Sequence, residues 1–196
     1  MPNLTVNLLY PKFQLRHLPS MLGFAVIGAF IAGGYGILHD QITYSISPEY
    51  FTKLKFHQFQ NTDFGFPVRV RVAEIGFLAT WWVGFFSAWF LARIAVPAWP
   101  EKIARRKVLA GVSIILAFAL SSGLAGGWLG SLRRSNPDFS AWQSYAVLLG
   151  VNDLPAFVQV AYIHNAGYIG GLLGLVAALV FLNRKNRKRG MRSNQF

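Results

Sequence analysis

Residues 20–38 read SMLGFAVIGAFIAGGYGIL, nineteen residues without a charged side chain. An apolar run of about this length is what a helix needs to cross the hydrocarbon core of a bilayer, which is about 30 Å thick. Small residues recur along it at four-residue spacing, in the two rows Ala25, Ala29, Gly33 and Gly28, Ala32, Gly36. Such rows let one helix approach another closely. The run therefore predicts a transmembrane helix that packs in a bundle.

The rest of the chain repeats this pattern. Of its 196 residues, 54% are apolar and only 13% are charged, which is unusual for a soluble domain. We expect one all-α membrane domain over residues 1–196, an integral four-transmembrane-helix bundle with two ordered extracytoplasmic loops containing short helices. The predicted spans are about 20–38, 73–96, 108–130 and 160–182, the outer loops about 39–72 and 131–159, and the cytoplasmic tail 183–196.

The distribution of basic residues predicts the orientation. Thirteen of the nineteen Lys and Arg residues lie before the first span, around the connection of the second and third, and after the fourth. Basic residues near span ends favour the cytoplasmic side, so both termini are expected there. Because the charge follows the span ends, we expect lipid rather than nucleic acid as partner. The chain has no cysteine, which excludes disulfides and thiolate metal sites.

The segment after the first span, HDQITYSISPEYFTKLKFHQF at 39–59, is rich in histidine and aromatic residues. Within it Ser47, Pro48 and Glu49 form a helix start, with a capping serine, a proline at the first position and an acid in the first turn. We expect a short helix from Pro48 to about Phe59. It should lie in the outer membrane interface with its aromatic side chains facing the bilayer.

Ionisable residues gather in the outer half of the predicted topology. They are His39, Asp40, Glu49, His57, Glu74, Asp153 and His164. Imidazoles and carboxylates are ligands for zinc, manganese or non-haem iron, and also serve as general acids and bases. Their spacing matches no metal motif.

Four interpretations of this polar cluster stay open. It could hold a divalent metal with His39, His57 and His164 as ligands, or a haem ligated by His39 and His164. It could also transfer protons without a metal. In the fourth interpretation its residues only fasten the loops to the bundle. Glu74 lies about a turn inside the membrane boundary, where an unpaired carboxylate is costly. Arg69 and Arg71, at the outer end of the second span, are predicted to meet lipid headgroups.

Positions 33–59, GGYGILHDQITYSISPEYFTKLKFHQF, resemble a segment of an uncharacterised family of bacterial four-helix integral membrane proteins. No activity is assigned to that family, so the resemblance implies no catalytic residue. It implies a location in the bacterial cytoplasmic (inner) membrane, as a multi-pass protein.

Three functions are therefore weighed, and whether the chain is an enzyme stays open. The first is a non-enzymatic membrane protein that binds a partner subunit, a second copy, lipid or an ion; as a binding module it should expose an aromatic patch of Tyr50, Phe51, Phe56 and Phe59. The second is an outward-facing metal-dependent enzyme, with Glu49 or Glu74 as base, which needs three converging ligands. The third is a small proton-coupled transporter, which needs Glu74 along a path through the bundle.

Overall fold

The computed structural model describes residues 14–135 and 138–193, with the backbone alone at 134, 135 and 185–193. Five α-helices account for most of this part of the chain, and no strand occurs in it. They are α1 (Leu18–Ile46), α2 (Val68–Ala98), α3 (Glu101–Ser135), α4 (Ser140–Leu149) and α5 (Leu154–Ser193).

Four of these helices are long and apolar enough to cross a membrane, as predicted. Each is longer than its predicted span, because hydropathy marks only the apolar middle whereas the helices continue into polar residues at both ends. The predicted tail is helical as far as Ser193, and residues 194–196 lie outside the described part of the chain.

The long helices form two antiparallel pairs, α1 with α2 and α3 with α5. Small residues hold the first pair together: a Cβ on Gly28 would strike the carbonyl of Gly84, and one on Gly36 would strike that of Gly76. In the second pair, Gly170 has the Phe118 carbonyl oxygen 2.6 Å from its Cβ position. The small-residue rows therefore serve close helix packing, as the sequence indicates.

Two apolar clusters join the pairs, one near each end of the bundle. At the end where α2 turns into α3, the buried cluster includes Met21, Leu91, Val108 and Leu182. We call the opposite end, which carries residues 47–67 and 138–153, the loop end. The second cluster lies there and consists of Tyr50, Phe51, Val72, Phe157, Val160 and Ala161.

The loop end contains three short helical segments, the smallest of which is the 3-10 turn Gln60–Thr62. One is a π helix, Tyr50–Lys55, which continues as the α-helical turn Phe56–Gln58. The third is α4, which ends at Gly150 in the left-handed conformation (φ 64°) that glycine adopts without strain. α4 packs on the cluster through Trp142 and Leu149.

The expected pose of the first short helix is wrong. Tyr50 is 6% exposed and Phe51 is fully buried, because both pack against α5 rather than face a bilayer. The exposed apolar side chains of the loop end lie elsewhere. They are Phe64 and Phe66 in the following loop and Tyr145, Val147 and Leu148 on α4.

Candidate functional site

Three of the predicted polar residues converge beneath the aromatic cluster of the loop end. His39 and Asp40 come from α1 and His164 from α5. The Nδ1 atom of His39 lies 3.1 Å from Oδ1 of Asp40, and the same oxygen lies 3.9 Å from Nε2 of His164. The two imidazoles meet edge to face, with ring centroids 4.6 Å apart. We call these three residues the His-Asp-His cluster.

The cluster is largely shielded from solvent. The side chains of His164 and Asp40 are 2% and 6% exposed, whereas that of His39 is 17% exposed. Thr43, one turn after His39, has its hydroxyl 3.2 Å from Nε2 of His164 and donates to the His39 carbonyl at 3.0 Å.

Aromatic rings enclose the imidazole of His164. The ring of Tyr50 is 4.9 Å from it, that of Phe51 6.1 Å and that of Tyr168 6.2 Å, measured between centroids. Burial raises the pKa of Tyr50, and the charges of Tyr168 and Asp40 add to this effect. Tyr50 is therefore a neutral phenol at physiological pH, and it acts as a wall of the site rather than as a phenolate ligand.

Local helix rules explain how the short helix reaches this position. Ser47 caps it, accepting a hydrogen bond from the Tyr50 N–H at 3.3 Å, as predicted. Glu49 then accepts bonds from the backbone N–H groups of Asn152 and Asp153, at 2.9 and 2.8 Å. These bonds lower the pKa of Glu49, led by the one from Asp153. Glu49 thus ties the short helix to the start of α5.

The remaining predicted site residues lie apart from the cluster. His57 is exposed on the turn Phe56–Gln58 and is not one of the three converging ligands. Asp153 caps α5, with Oδ1 accepting from the Ala156 N–H at 3.1 Å. Both carboxylate oxygens of Glu74 are buried without a hydrogen-bond partner in the described part of the chain.

Arg69 and Arg71 have partners within the protein. The Arg69 guanidinium bonds to the carbonyl of Gln41 at 3.1 Å and stacks on the Tyr44 ring, 4.5 Å away. Arg71 pairs with Asp63 and lies 4.2 Å from the centroid of Phe56. The contact of both arginines with lipid headgroups stays a prediction. If it forms, each guanidinium group must bind lipid and its protein partners at the same time.

The expected aromatic patch is also wrong. Tyr50 and Phe51 are buried, and Phe56 and Phe59 are half-buried, so the four rings do not form an exposed surface. The feature by which we expected to recognise a binding module at this segment is absent from it.

The geometry of the cluster suits a metal ion better than a haem. One ligand atom from each residue lies within 4.8 Å of the other two. Bonds of about 2.0–2.1 Å in a tetrahedral site place ligand atoms roughly 3.3 Å apart, so only small rotations are needed. A porphyrin bound by two histidines must pass between them, and rings 4.6 Å apart leave no room for it.

Sequence reasoning missed four residues around the cluster, namely Thr43, Tyr50, Lys55 and Tyr168. Tyr168 follows His164 by four positions on a helix, so it could have been placed on the same face. Lys55 follows Phe51 by four positions, so it too could have been placed on the face of a buried aromatic residue.

Comparison of the chain with protein-family models, curated proteins and solved structures found no match. The resemblance of positions 33–59 therefore stays a prediction.

Proposed function

We propose that this chain is a small multi-pass membrane protein that binds a divalent transition-metal ion in its His-Asp-His cluster. The observation that carries the proposal is the convergence of two imidazoles and one carboxylate within 4.8 Å. A set of two nitrogens and one oxygen, without sulfur, suits Zn²⁺, Mn²⁺ or Fe²⁺. Burial of Asp40 and His164 would hold such an ion away from bulk water.

The membrane location rests on the exterior of the bundle. Each long helix carries a large apolar side chain that is at least half exposed, namely Phe30, Trp82, Trp128 and Leu172. A stable protein in water rarely exposes so much apolar surface, whereas lipid tails cover it without cost. The bias of Lys and Arg supports cytoplasmic termini, with the loop end outside a bacterial cytoplasmic membrane.

The number of ligands favours a metal-dependent enzyme as the second candidate. Three protein ligands leave one tetrahedral position open, as in catalytic zinc sites, whereas structural zinc sites use four. His39 is the most exposed of the three, so it marks the side from which water or a substrate could reach the ion. A base is not assigned, because Glu49 is engaged with Asn152 and Asp153.

Elemental analysis of detergent-purified protein tests the proposal. Wild type, grown in metal-replete medium, should carry about one divalent ion per chain. A double variant, His39→Ala with His164→Ala, should lose it, as should Asp40→Asn, which preserves the shape of the side chain. His57→Ala is the matched control, because it removes an exposed imidazole outside the cluster and should keep the ion.

Two results would overturn the metal site. One is wild-type protein that stays metal-free after incubation with Zn²⁺, Mn²⁺ and Fe²⁺, and the other is a His57→Ala variant that loses metal as the cluster variants do. Circular dichroism and size exclusion confirm that each variant is folded, so that a loss of metal is not a loss of structure.

A further inference from the structure

Lys55 is a buried lysine that has no acidic partner within the described part of the chain. Its side chain points into the protein, and only 7% of the residue is exposed. The ammonium donates one hydrogen bond, to the hydroxyl of Tyr168 at 3.3 Å. Among residues 14–135 and 138–193, no carboxylate lies within 4.0 Å of its Nζ atom.

The π helix places Lys55 on the face of both Tyr50 and Phe51. In a π helix, residues five apart are joined, and here the Phe56 N–H bonds to the Phe51 carbonyl. Residues four and five positions apart then lie on one face, so Lys55 follows Tyr50 and Phe51 into the interface with α5. These three are the buried residues of the segment. Single π-helical turns are frequent at functional sites.

The contacts of Lys55 leave its charge unbalanced. An ammonium has three donors, and the described contacts use one of them. The rings of Phe59 and Tyr168, 6.0 and 5.9 Å away, attract a cation but do not neutralise it. A buried charge is normally paired with an opposite charge. The missing component of this site is therefore an anion.

The position of Lys55 indicates which anion. The carbonyl of the next residue, Phe56, accepts a hydrogen bond at 3.3 Å from Arg71, which lies in the first turn of α2. Lys55 is therefore level with the end of a candidate span, where phospholipid phosphates lie in a membrane. Tyr168, which accepts the bond from Lys55, is 51% exposed, so the pair of side chains reaches the surface of the bundle.

We propose that Lys55 and Tyr168 form a binding site for a phosphate group, with the ammonium supplying charge and the hydroxyl a further hydrogen bond. The source is either a phospholipid headgroup or free phosphate. Neither residue is one of the three candidate metal ligands, although the Tyr168 ring also lies against His164.

Native mass spectrometry of protein delipidated in detergent and then titrated with phosphatidylglycerol tests this site. A hydrogen bond to a charged group contributes roughly 1.5–3 kcal/mol, so Lys55→Gln should weaken lipid binding about ten- to hundred-fold. Tyr168→Phe, which removes only a hydroxyl at an exposed position, should weaken it less. Lys53→Gln is the matched control, because it removes a half-buried lysine from the same helix that does not contact Tyr168.

Competition distinguishes the two sources of phosphate. If millimolar inorganic phosphate displaces the lipid from wild type, the site takes free phosphate; if it does not, the site takes the phospholipid. The proposal is overturned if wild type and Lys55→Gln bind lipid equally and neither binds phosphate. It is also overturned if Lys53→Gln loses as much affinity as Lys55→Gln, since the effect would then be one of surface charge.

Discussion

Replacing Gly36 by alanine should separate α1 from α2. A Cβ at this position would strike the carbonyl of Gly76, whose carbon lies 2.8 Å away, and the hydroxyl of Thr80. The carbonyl belongs to the helix backbone and cannot rotate aside, so the helices themselves must move. Overpacking of this kind costs about 1–3 kcal/mol.

Two further terms set the net effect. The Thr80 hydroxyl lies 2.8 Å from the carbonyl oxygen of Ala32 across the helix pair, and losing such a bond in a membrane costs about 0.6 kcal/mol. In the opposite direction, alanine stabilises a helix by about 1 kcal/mol relative to glycine. Combining these terms predicts that Gly36→Ala lowers the free energy of unfolding by roughly 0.5–2.5 kcal/mol.

Gly34 provides the matched control for this change. It lies two residues away on the same helix, and a Cβ there would meet nothing within 4 Å. Gly34→Ala should therefore leave stability unchanged or raise it by up to about 1 kcal/mol. Both variants can be compared with wild type by reversible unfolding in SDS mixed micelles, followed by circular dichroism. Equal stability of the two variants would refute the close approach of α1 and α2.

Two other predictions concern carboxylates. Because the pKa of Glu49 is lowered in the folded state, its stabilisation is complete above the ordinary carboxyl range and is lost as pH falls below roughly 4.3 through the folded pKa. Glu49→Gln should remove this acid-dependent loss, which amounts to less than about 1 kcal/mol in the free energy of unfolding because the group lies near the surface. Thermal unfolding of both proteins from pH 7 to pH 3 measures the difference. Identical pH profiles of the variant and wild type would contradict the prediction. Since both oxygens of Glu74 lack a partner among the residues that the structure describes, Glu74→Leu should stabilise the protein by about 1–3 kcal/mol, whereas the exposed control Glu101→Leu should change little. If Glu74→Leu instead unfolds at lower SDS concentration than wild type, the carboxylate has a partner or binds an ion, as the transporter hypothesis requires.

The main features of the fold could be predicted because they depend on local patterns. Long apolar runs gave the four long helices, and glycine spacing indicated the faces on which they pack. Ser47 was identified as a cap because a cap needs only a short polar side chain just before a helix. Each of these features is encoded within about one helical turn of sequence.

The candidate site could be predicted only in part. Hydropathy placed four of these residues near the same end of the bundle, namely His39, Asp40, His57 and His164. The order of the spans determines no more than this. Which of them meet depends on rotation about the helix axes and on the path of the loop. The metal set predicted from histidines alone therefore contained His57, whereas the structure brings Asp40 to His39 and His164.

The aromatic residues were misplaced for a related reason. An α-helical reading already puts Lys55 one turn after Phe51 and Tyr50 beside it, but it does not show what this face packs against. The π helix puts them on one face, and that face then packs against α5. Nothing in the spacing of residues 50–55 distinguishes the two helix types.

The short helix closes the site because it is fastened at both ends to different helix pairs. At its start, Glu49 bonds to Asn152 and Asp153, next to α5. Near its end, the Phe56 carbonyl accepts a bond from Arg71 of α2. Between these attachments, Tyr50 and Phe51 cover His164. The segment thus links the α1–α2 pair to the α3–α5 pair above the polar cluster, in which His39 is the most exposed of the three residues.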